Sequence, residues 1–447
     1  MNAVLTVGHA LLAVLLAGAV ALSLLLTFQS MYTLYIMLYT WDRPEASRRA
    51  KAPARFLPPR LSFTVMLPAR HEEDVIQTTI EQVVCANYPQ SLLEVVVICS
   101  ANDTGTIAKA QQKRVQLRRQ GVDNVRVVAF KNGPINKPHG LNVGLRSTHN
   151  EVVTIFDAED DIHPDIFNVV NTVLLEEQVA VVQCGVQLMN YRSRWYSALN
   201  VLEYFFWFKS SLHYHARLGM TLLGGNTVFF TRRVLQRVGG WDERNLTEDA
   251  DIGIRISLLG EQIRVVYDDR YVTREETPPT LGQFIKQRTR WSQGFLQTLL
   301  KGEWKQLSTL RQRLLALYTL GFPAAQTVLG FYILVSLLMM FTLKPPVLIA
   351  ITLDLPFYLL AAHFTLNVIG LYEFTSAHGL KPGWKTLLVM VLGYLPYQWV
   401  LAYASVRATL RQVRGINNWE KTQHIGAHRQ GRAVSQTREL EATSSRK

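Results

Sequence analysis

The chain has 447 residues, 48% of them hydrophobic and 18% charged, with a formal net charge of +13. That length accommodates a full catalytic domain plus membrane segments, and the apolar share excludes a chain disordered throughout. Cys85, Cys99 and Cys184 sit beside apolar or strand-like runs without CxxC spacing, which argues against a disulfide framework or a zinc site and predicts reduced, buried thiols.

No Asp, Glu, Lys or Arg precedes Asp42, and the run over residues 7–39 far exceeds the roughly 20 apolar residues that span a bilayer. A cleaved signal peptide needs a basic n-region and a short h-region, and this segment has neither, so residues 1–41 read as a transmembrane helix. Arg43, Arg48, Arg49, Lys51, Arg55 and Arg60 follow in a basic linker over residues 42–60. By the positive-inside rule they place this end of the helix, and the domain after it, in the cytoplasm.

Over residues 61–306 short β-branched runs alternate with amphipathic stretches. SFTVMLP, LEVVVICS, VRVVAF and EVVTIF read as buried parallel strands, with helix candidates at residues 73–86, 106–119 and 139–147. The alternation predicts an α/β domain with a mainly parallel sheet, whose ligands gather at the carboxyl ends of the strands. Polar residues cluster at those ends: Arg70, His71, Glu72, Glu73 and Asp74, then Asn102 and Asp103, then Asp157, Glu159, Asp160 and Asp161. No GxGxxG opens a helix, which argues against a dinucleotide site.

Beyond Lys301 three more hydrophobic segments occupy residues 314–343, 347–372 and 386–406, within a region of transmembrane or interfacial helices over 307–406. A basic tail over 407–447 follows, expected to be cytoplasmic and disordered from about residue 426. Three full crossings would put that tail outside, against the charge rule, so one segment is expected not to be a simple span. Candidates are residues 314–322, before Pro323, and the last segment, broken at Pro396. Asp354 within a hydrophobic run either lines a functional path with Tyr358 and His363 or sits near an interface. Tyr332, Tyr394, Tyr397 and Trp399 read as interface belt or core rather than a ligand track.

The chemistry concentrates in three places. Asp157-Ala158-Glu159-Asp160 puts hard oxygen ligands on one turn, suited to Mg²⁺ or Mn²⁺, whereas a helix cap at Asp161 or Asp165 would need neither Asp157 nor Glu159. Lys137, in a loop before a helix, could meet phosphate oxygens. Around Thr247-Glu248-Asp249 the acids repel one another; a capped helix N-terminus with Ile252, Ile254, Ile256 and Leu259 as its apolar stripe is the plain reading. Gln287, Arg290 and Trp291 of the QRTRW run share one helical face, on a stretch that also suits an interfacial amphipathic helix.

With these motifs in order, the chain resembles the membrane-embedded family 2 glycosyltransferases, the group that includes cellulose and hyaluronan synthases. The resemblance covers residues 63–297 and the placement of membrane helices. It rests on the strand-end Asp103, the DxD-like Asp157-Ala158-Glu159, the Thr247-Glu248-Asp249 triplet and Gln287-Arg288-Thr289-Arg290-Trp291. KPHGLN at residues 137–142, GGN at 224–226 and WEKTQH at 419–424 add to it. It implies a GT-A fold, a UDP-sugar donor such as UDP-glucose or UDP-N-acetylglucosamine, a divalent metal, and inversion at the anomeric carbon.

On that resemblance Asp103 holds the nucleoside, and Glu72, Lys137 and Asn142 are further substrate-binding residues. Asp157 with Glu159 or Asp160 holds the metal. Asp249, beside Glu248, is the general base. Arg290, with Arg288, grips the diphosphate, and Gln287 and Trp291 meet the acceptor. The expected product is a polysaccharide elongated and passed through the enzyme's own helices in the inner or plasma membrane, with lipids and possible accessory export subunits as partners and no nucleic acid. The alternatives are a single transfer to a lipid acceptor, giving a glycolipid, and a non-enzymatic membrane protein.

Overall fold

The computed structural model describes residues 2–420, with side chains from residue 10 onward. Helix α1 (Asn2–Asp42) leads through short α2 (Pro44–Ala50) into an α/β domain. Its first half is β1 (Phe63–Pro68), α3 (Ile76–Val84), β2 (Leu93–Ser100), α4 (Thr104–Arg119), β3 (Val125–Phe130), α5 (Lys137–Arg146), β4 (Val152–Ile155) and α6 (Ile166–Glu177). The second half is β5 (Val181–Cys184), β6 (Val186–Leu188), α7 (Ser197–Phe206), α8 (Leu212–Leu218), β7 (Val228–Thr231), α9 (Arg232–Val238), α10 (Glu248–Leu258), β8 (Ile263–Val266) and β9 (Thr273–Glu275). Then come α11 (Leu281–Lys301), α12 (Leu310–Leu343), α13 (Val347–Ala377) and α14 (Trp384–Val413).

The strands form a seven-stranded sheet in the order β3-β2-β1-β4-β7-β5-β8, in which only β7 runs antiparallel to its neighbours. Continuous Val/Ile runs suit strands covered on both faces, and Val65, Met66, Val95, Val96 and Val153 are indeed fully buried. One face packs on α3, α4 and α6 through Ile76, Ile80 and Phe167, the other on α5 and α10 through Leu141, Ile252 and Ile256. The crossovers bring the carboxyl ends of β1, β2, β3 and β4 to one edge. β6 and β9 make a separate parallel pair, and the Asp161–Arg274 bridge ties it to the segment after β4.

Cys99 and Cys184 are buried as expected, but Cys85, one residue beyond α3, is exposed; all three are free thiols. The apolar stripe of α10 holds at Ile252, Ile254 and Ile256, whereas Leu259 is 38% exposed.

Among the described residues, four helices are long and apolar enough to cross a membrane: Ala10–Asp42, α12, α13 and α14. Pro323, Pro356 and Pro396 all lie inside continuous helix. Pro356 has no N–H to give to the carbonyl of Thr352, and the Ser23 hydroxyl of α1 donates to that carbonyl instead at 2.5 Å. Residues 314–322 belong to α12 rather than to a separate surface helix. α14 is different. Its approach is tied to the α/β domain by the Tyr191 hydroxyl, which donates to the Lys381 carbonyl at 3.0 Å. Its far end is tied to α11, where Arg411 Nε donates to Gln293 Oε1 at 3.1 Å, and between them the Tyr397 and Phe284 rings lie 5.6 Å apart. Both ends of α14 therefore rest on the side of the α/β domain. The tail expected to be disordered from residue 426 lies outside the described residues.

Candidate active site

A cavity of about 570 Å³ opens at the carboxyl edge of the sheet and continues between α1, α12, α13 and α14. Strand ends supply Ala69, Arg70, Glu72, Ser100, Asp157 and Glu159 to its wall. Lys137 enters from the first turn of α5, a helix whose start is fixed by Asn136, whose side chain accepts from the His139 N–H at 2.9 Å.

Asp157 and Glu159 line the cavity, but Asp160 does not. Asp160 is fully buried beneath them, accepting from the Asp157 N–H at 2.8 Å and from Asn226 Nδ2 at 3.0 Å. Burial, then Glu275, Asp157 and Glu159, pushes its carboxyl well above the usual range. Of the two acids the sequence leaves open, Glu159 is thus the one on the cavity wall. The cavity-facing set is hard oxygen with a surplus of negative charge, which fits Mg²⁺ or Mn²⁺. Lys137 Nζ lies 2.6 Å from Asp157 Oδ1 and donates to the Gly225 carbonyl at 3.2 Å. Burial opposes its charge, but Asp157 and Glu248 outweigh burial and its pKa is raised.

His71, Glu73 and Asp103 form another group with ligand atoms within 4.8 Å of one another. Asp103 does not line the cavity; it caps α4, accepting from the Thr106 N–H at 3.2 Å and the His71 N–H at 2.6 Å. Ser100 is the polar residue at the end of β2 on the wall. Asn142 also turns away, because its amide binds the loop before α10, donating to the Trp241 carbonyl at 2.8 Å and to Glu243 Oε1 at 2.9 Å.

The acids of α10 separate by role. Asp251 is a structural ion-pair partner, 2.8 Å from Arg255 and 2.7 Å from Lys301. Glu248 and Asp249 face the cavity. Burial and then the Asp249 charge push the Glu248 carboxyl up to about 7, and burial also raises Asp249, against the Ala250 N–H that donates to it at 2.8 Å. Thr247 occupies the cap position without capping; its hydroxyl binds Asn245 Oδ1 at 3.3 Å. Gly225 stands at φ +71°, and a Cβ there would lie 2.8 Å from Asp249 Oδ2, so the GGN turn needs glycine on both counts.

Gln287, Arg288, Arg290 and Trp291 of α11 all reach the cavity. Arg290 stacks over Trp419 with its guanidinium carbon 4.4 Å from the ring centroid. Arg288 departs from a diphosphate role, since Glu203 and Asn200 engage it. Gly294 lets α11 touch the α10 loop: a Cβ would fall 2.4 Å from Thr247 Oγ1 and 2.6 Å from its backbone N. Gly294→Ala is therefore expected to cost about 1–3 kcal/mol by overpacking at unchanged expression, read by thermal melting.

Of the intramembrane residues, His363 lines the cavity while Asp354 and Tyr358 do not. Tyr394 and Tyr397 belong to the buried core, as read from the sequence, and also border the cavity; Tyr332 and Trp399 lie off it. The sequence reading missed Glu203, Tyr204 and Glu275 on the wall. One signal existed for the first: Glu203 is the single charge between Arg194 and Lys209 in a strongly apolar stretch.

A family model described as "Glycosyltransferase like family 2" matches residues 58–294. The chain is 26% identical to a probable glycosyltransferase, YdaM, of Bacillus subtilis (strain 168) over 53% of the chain and 56% of that protein. It is 24% identical to the poly-beta-1,6-N-acetyl-D-glucosamine synthase of Staphylococcus epidermidis over 80% of the chain and 86% of that protein. It is 26% identical to the beta-monoglucosyldiacylglycerol synthase of Synechocystis sp. (strain ATCC 27184 / PCC 6803 / Kazusa) over 86% of the chain and 81% of that protein. The solved mannosyltransferase PcManGT from Pyrobaculum calidifontis, in complex with GDP-Man and Mn²⁺, superposes with a TM-score of 0.50 at 20% identity, covering 88% of this chain and 99% of that one. That likeness carries the GT-A-like fold. With the family model spanning more than half of the chain, and four helices apolar enough to cross a bilayer, the chain belongs to the family 2 glycosyltransferases, as a membrane enzyme that uses a nucleotide sugar.

Proposed function

We propose that the chain elongates a polysaccharide from a UDP-sugar, with inversion, and passes the product into the membrane through its own helices. The observation that carries this reading is the continuity of the cavity. From Asp157 and Asp249 it runs without interruption to Gln29, Thr33, Gln326, His363, Asn367 and Gln398 inside the membrane helices. Amides, hydroxyls and an imidazole at that depth suit a chain of sugar hydroxyls, whereas acyl tails need none of them. A single transfer to a lipid acceptor, as the glycolipid synthase relative's name describes, remains the second reading.

In this reading Asp249 takes the proton of the acceptor hydroxyl as that oxygen bonds to the anomeric carbon of the donor. The bond from that carbon to the nucleoside diphosphate breaks, and the leaving group departs with its electron pair. Asp157 and Glu159 would hold Mg²⁺ or Mn²⁺, which supplies charge neutralisation for the diphosphate. Lys137 and Arg290 add positive charge on the same side, Glu72 and Gln287 contact donor and acceptor, and Trp291 gives the acceptor ring a flat apolar face. Purified protein in lipid, offered radiolabelled UDP-sugars one at a time, tests the whole: a polymer is expected, and a product of one sugar on lipid would favour the alternative.

Topology follows from α14. If α1, α12 and α13 cross and α14 lies along α11 at the surface, the basic tail ends on the catalytic side, which the arginines of residues 43–60 assign to the cytoplasm. A cysteine introduced in the tail should resist an impermeant thiol reagent in intact cells and react after permeabilisation. Labelling in intact cells would refute this arrangement.

A further inference from the structure

Beneath Trp291 an ion pair stands on the cavity wall that none of the transfer steps uses. α7 presents Glu203 to the cavity, and its carboxylate pairs with the Arg288 guanidinium of α11. The same guanidinium donates to Asn200 Oδ1, about one turn back on α7. The Arg288 side chain is only 14% exposed, a place where a guanidinium needs a counter-charge. Its charge is directed at aromatic faces: the guanidinium carbon lies 4.7 Å from the Trp291 ring and 5.0 Å from the Phe284 ring. Tyr204, the next residue on α7, lies 6.1 Å from Trp291 at an interplanar angle of 43°. Two elements far apart in sequence thus meet on one indole.

We infer that Glu203 is a positioning residue for the acceptor subsite: through Arg288 it fixes the plane of Trp291, and so the orientation of the sugar ring at the growing end of the glycan. An arginine side chain has many rotamers, and a cation–π contact alone does not select one; a carboxylate and an amide oxygen on a rigid helix do. The diphosphate grip is left to Arg290, the residue before Trp291, whose guanidinium stacks over Trp419 instead. The inference rests on the reading of Trp291 as the acceptor platform, and it adds an element of acceptor geometry that lies outside α11.

The test separates the brace from the identity of the product. Full-length protein labelled with 5-fluorotryptophan in lipid nanodiscs gives a Trp291 resonance, assigned by its loss in Trp291→Phe. Glu203→Gln is expected to shift or broaden that resonance, and Glu203→Asp to restore it. In the same samples Glu203→Gln should raise the KM for a soluble oligosaccharide acceptor roughly tenfold, the size of a desolvated cation–π contact, while the donor KM moves less than about twofold. Should the single variant fail to fold, Glu203→Gln with Arg288→Gln leaves no lone buried charge and must show the same disturbed resonance. An unchanged Trp291 resonance in the variants, or donor and acceptor KM rising together, overturns the inference. A wild-type product of one sugar on lipid would instead sink the polymer reading, and the fluorine spectrum would still decide the brace.

Discussion

Asp249→Asn is expected to lower turnover by roughly 10²-fold or more while donor binding survives, because the amide keeps the size and polarity of the side chain but cannot take a proton. The carboxylate is suited to the task by its surroundings. The α10 start buries it, which raises its proton affinity, while the Ala250 N–H fixes one oxygen at 2.8 Å. Glu248, pushed to about 7 by burial and by Asp249, shares the titration, so the two acids behave as a pair. In this reading the active form of Asp249 is the deprotonated one, so activity at saturating donor should rise with pH as the pair gives up its protons. Stability should move the opposite way. The folded protein holds a proton on Glu248 above its ordinary 4.5, so this group's contribution is present below that value and is lost as pH rises to about 7. Glu248→Gln should flatten that stability slope. Steady-state kinetics, UDP release and melting curves across pH read all three effects, and wild-type turnover in Asp249→Asn would remove the base assignment.

Much of this site is legible in the sequence because its motifs are local. Parallel strands show as unbroken Val/Ile runs, and a strand's carboxyl end fixes where Asp157, Glu159 and Glu72 emerge. Helical spacing puts Gln287, Arg290 and Trp291 on one face, and all three reach the cavity. What the sequence does not disclose is which neighbour a polar group turns to. Asp103 sits at a strand end, as a ligand would, but the first turn of α4 and the loop after β1 each offer it a backbone N–H at closer range. Asn142 is likewise taken by the backbone of the loop before α10, Asp160 by the Asp157 N–H of its own turn, and Arg288 by a glutamate on α7. The membrane part is ambiguous for a related reason. A hydropathy run fixes the length and apolarity of α14 but not its direction, which depends on tertiary contacts at Lys381 and Arg411. Prolines were the misleading signal: Pro323 and Pro396 stay within helix, and at Pro356 a hydroxyl from α1 satisfies the freed carbonyl.

Excess EDTA is expected to abolish transfer, Mg²⁺ or Mn²⁺ to restore it, and Asp157→Ala to remove most of the restored activity. Asp157 and Glu159 are the two acids of the motif on the cavity wall, so both alanine variants should weaken Mn²⁺ binding measured directly by electron paramagnetic resonance without substrate. Asp160→Ala should behave differently. Its carboxylate holds the Asp157 N–H at 2.8 Å and the Asn226 amide at 3.0 Å, and it lies below the wall. Losing it leaves the Asp157 N–H without its acceptor, at a cost of about 1–3 kcal/mol, and loosens the turn that aims Asp157, while the Asn226 amide keeps Glu275. The expected signature is therefore a lower melting temperature with a modest fall in metal affinity, against a large fall in metal affinity for Asp157→Ala. Equal loss of Mn²⁺ affinity in Glu159→Ala and Asp160→Ala would remove the distinction between wall and support. Full activity in excess EDTA would remove the metal site itself, and with it the reason for so many carboxylates to face a cavity where Lys137 is the cation bound to Asp157.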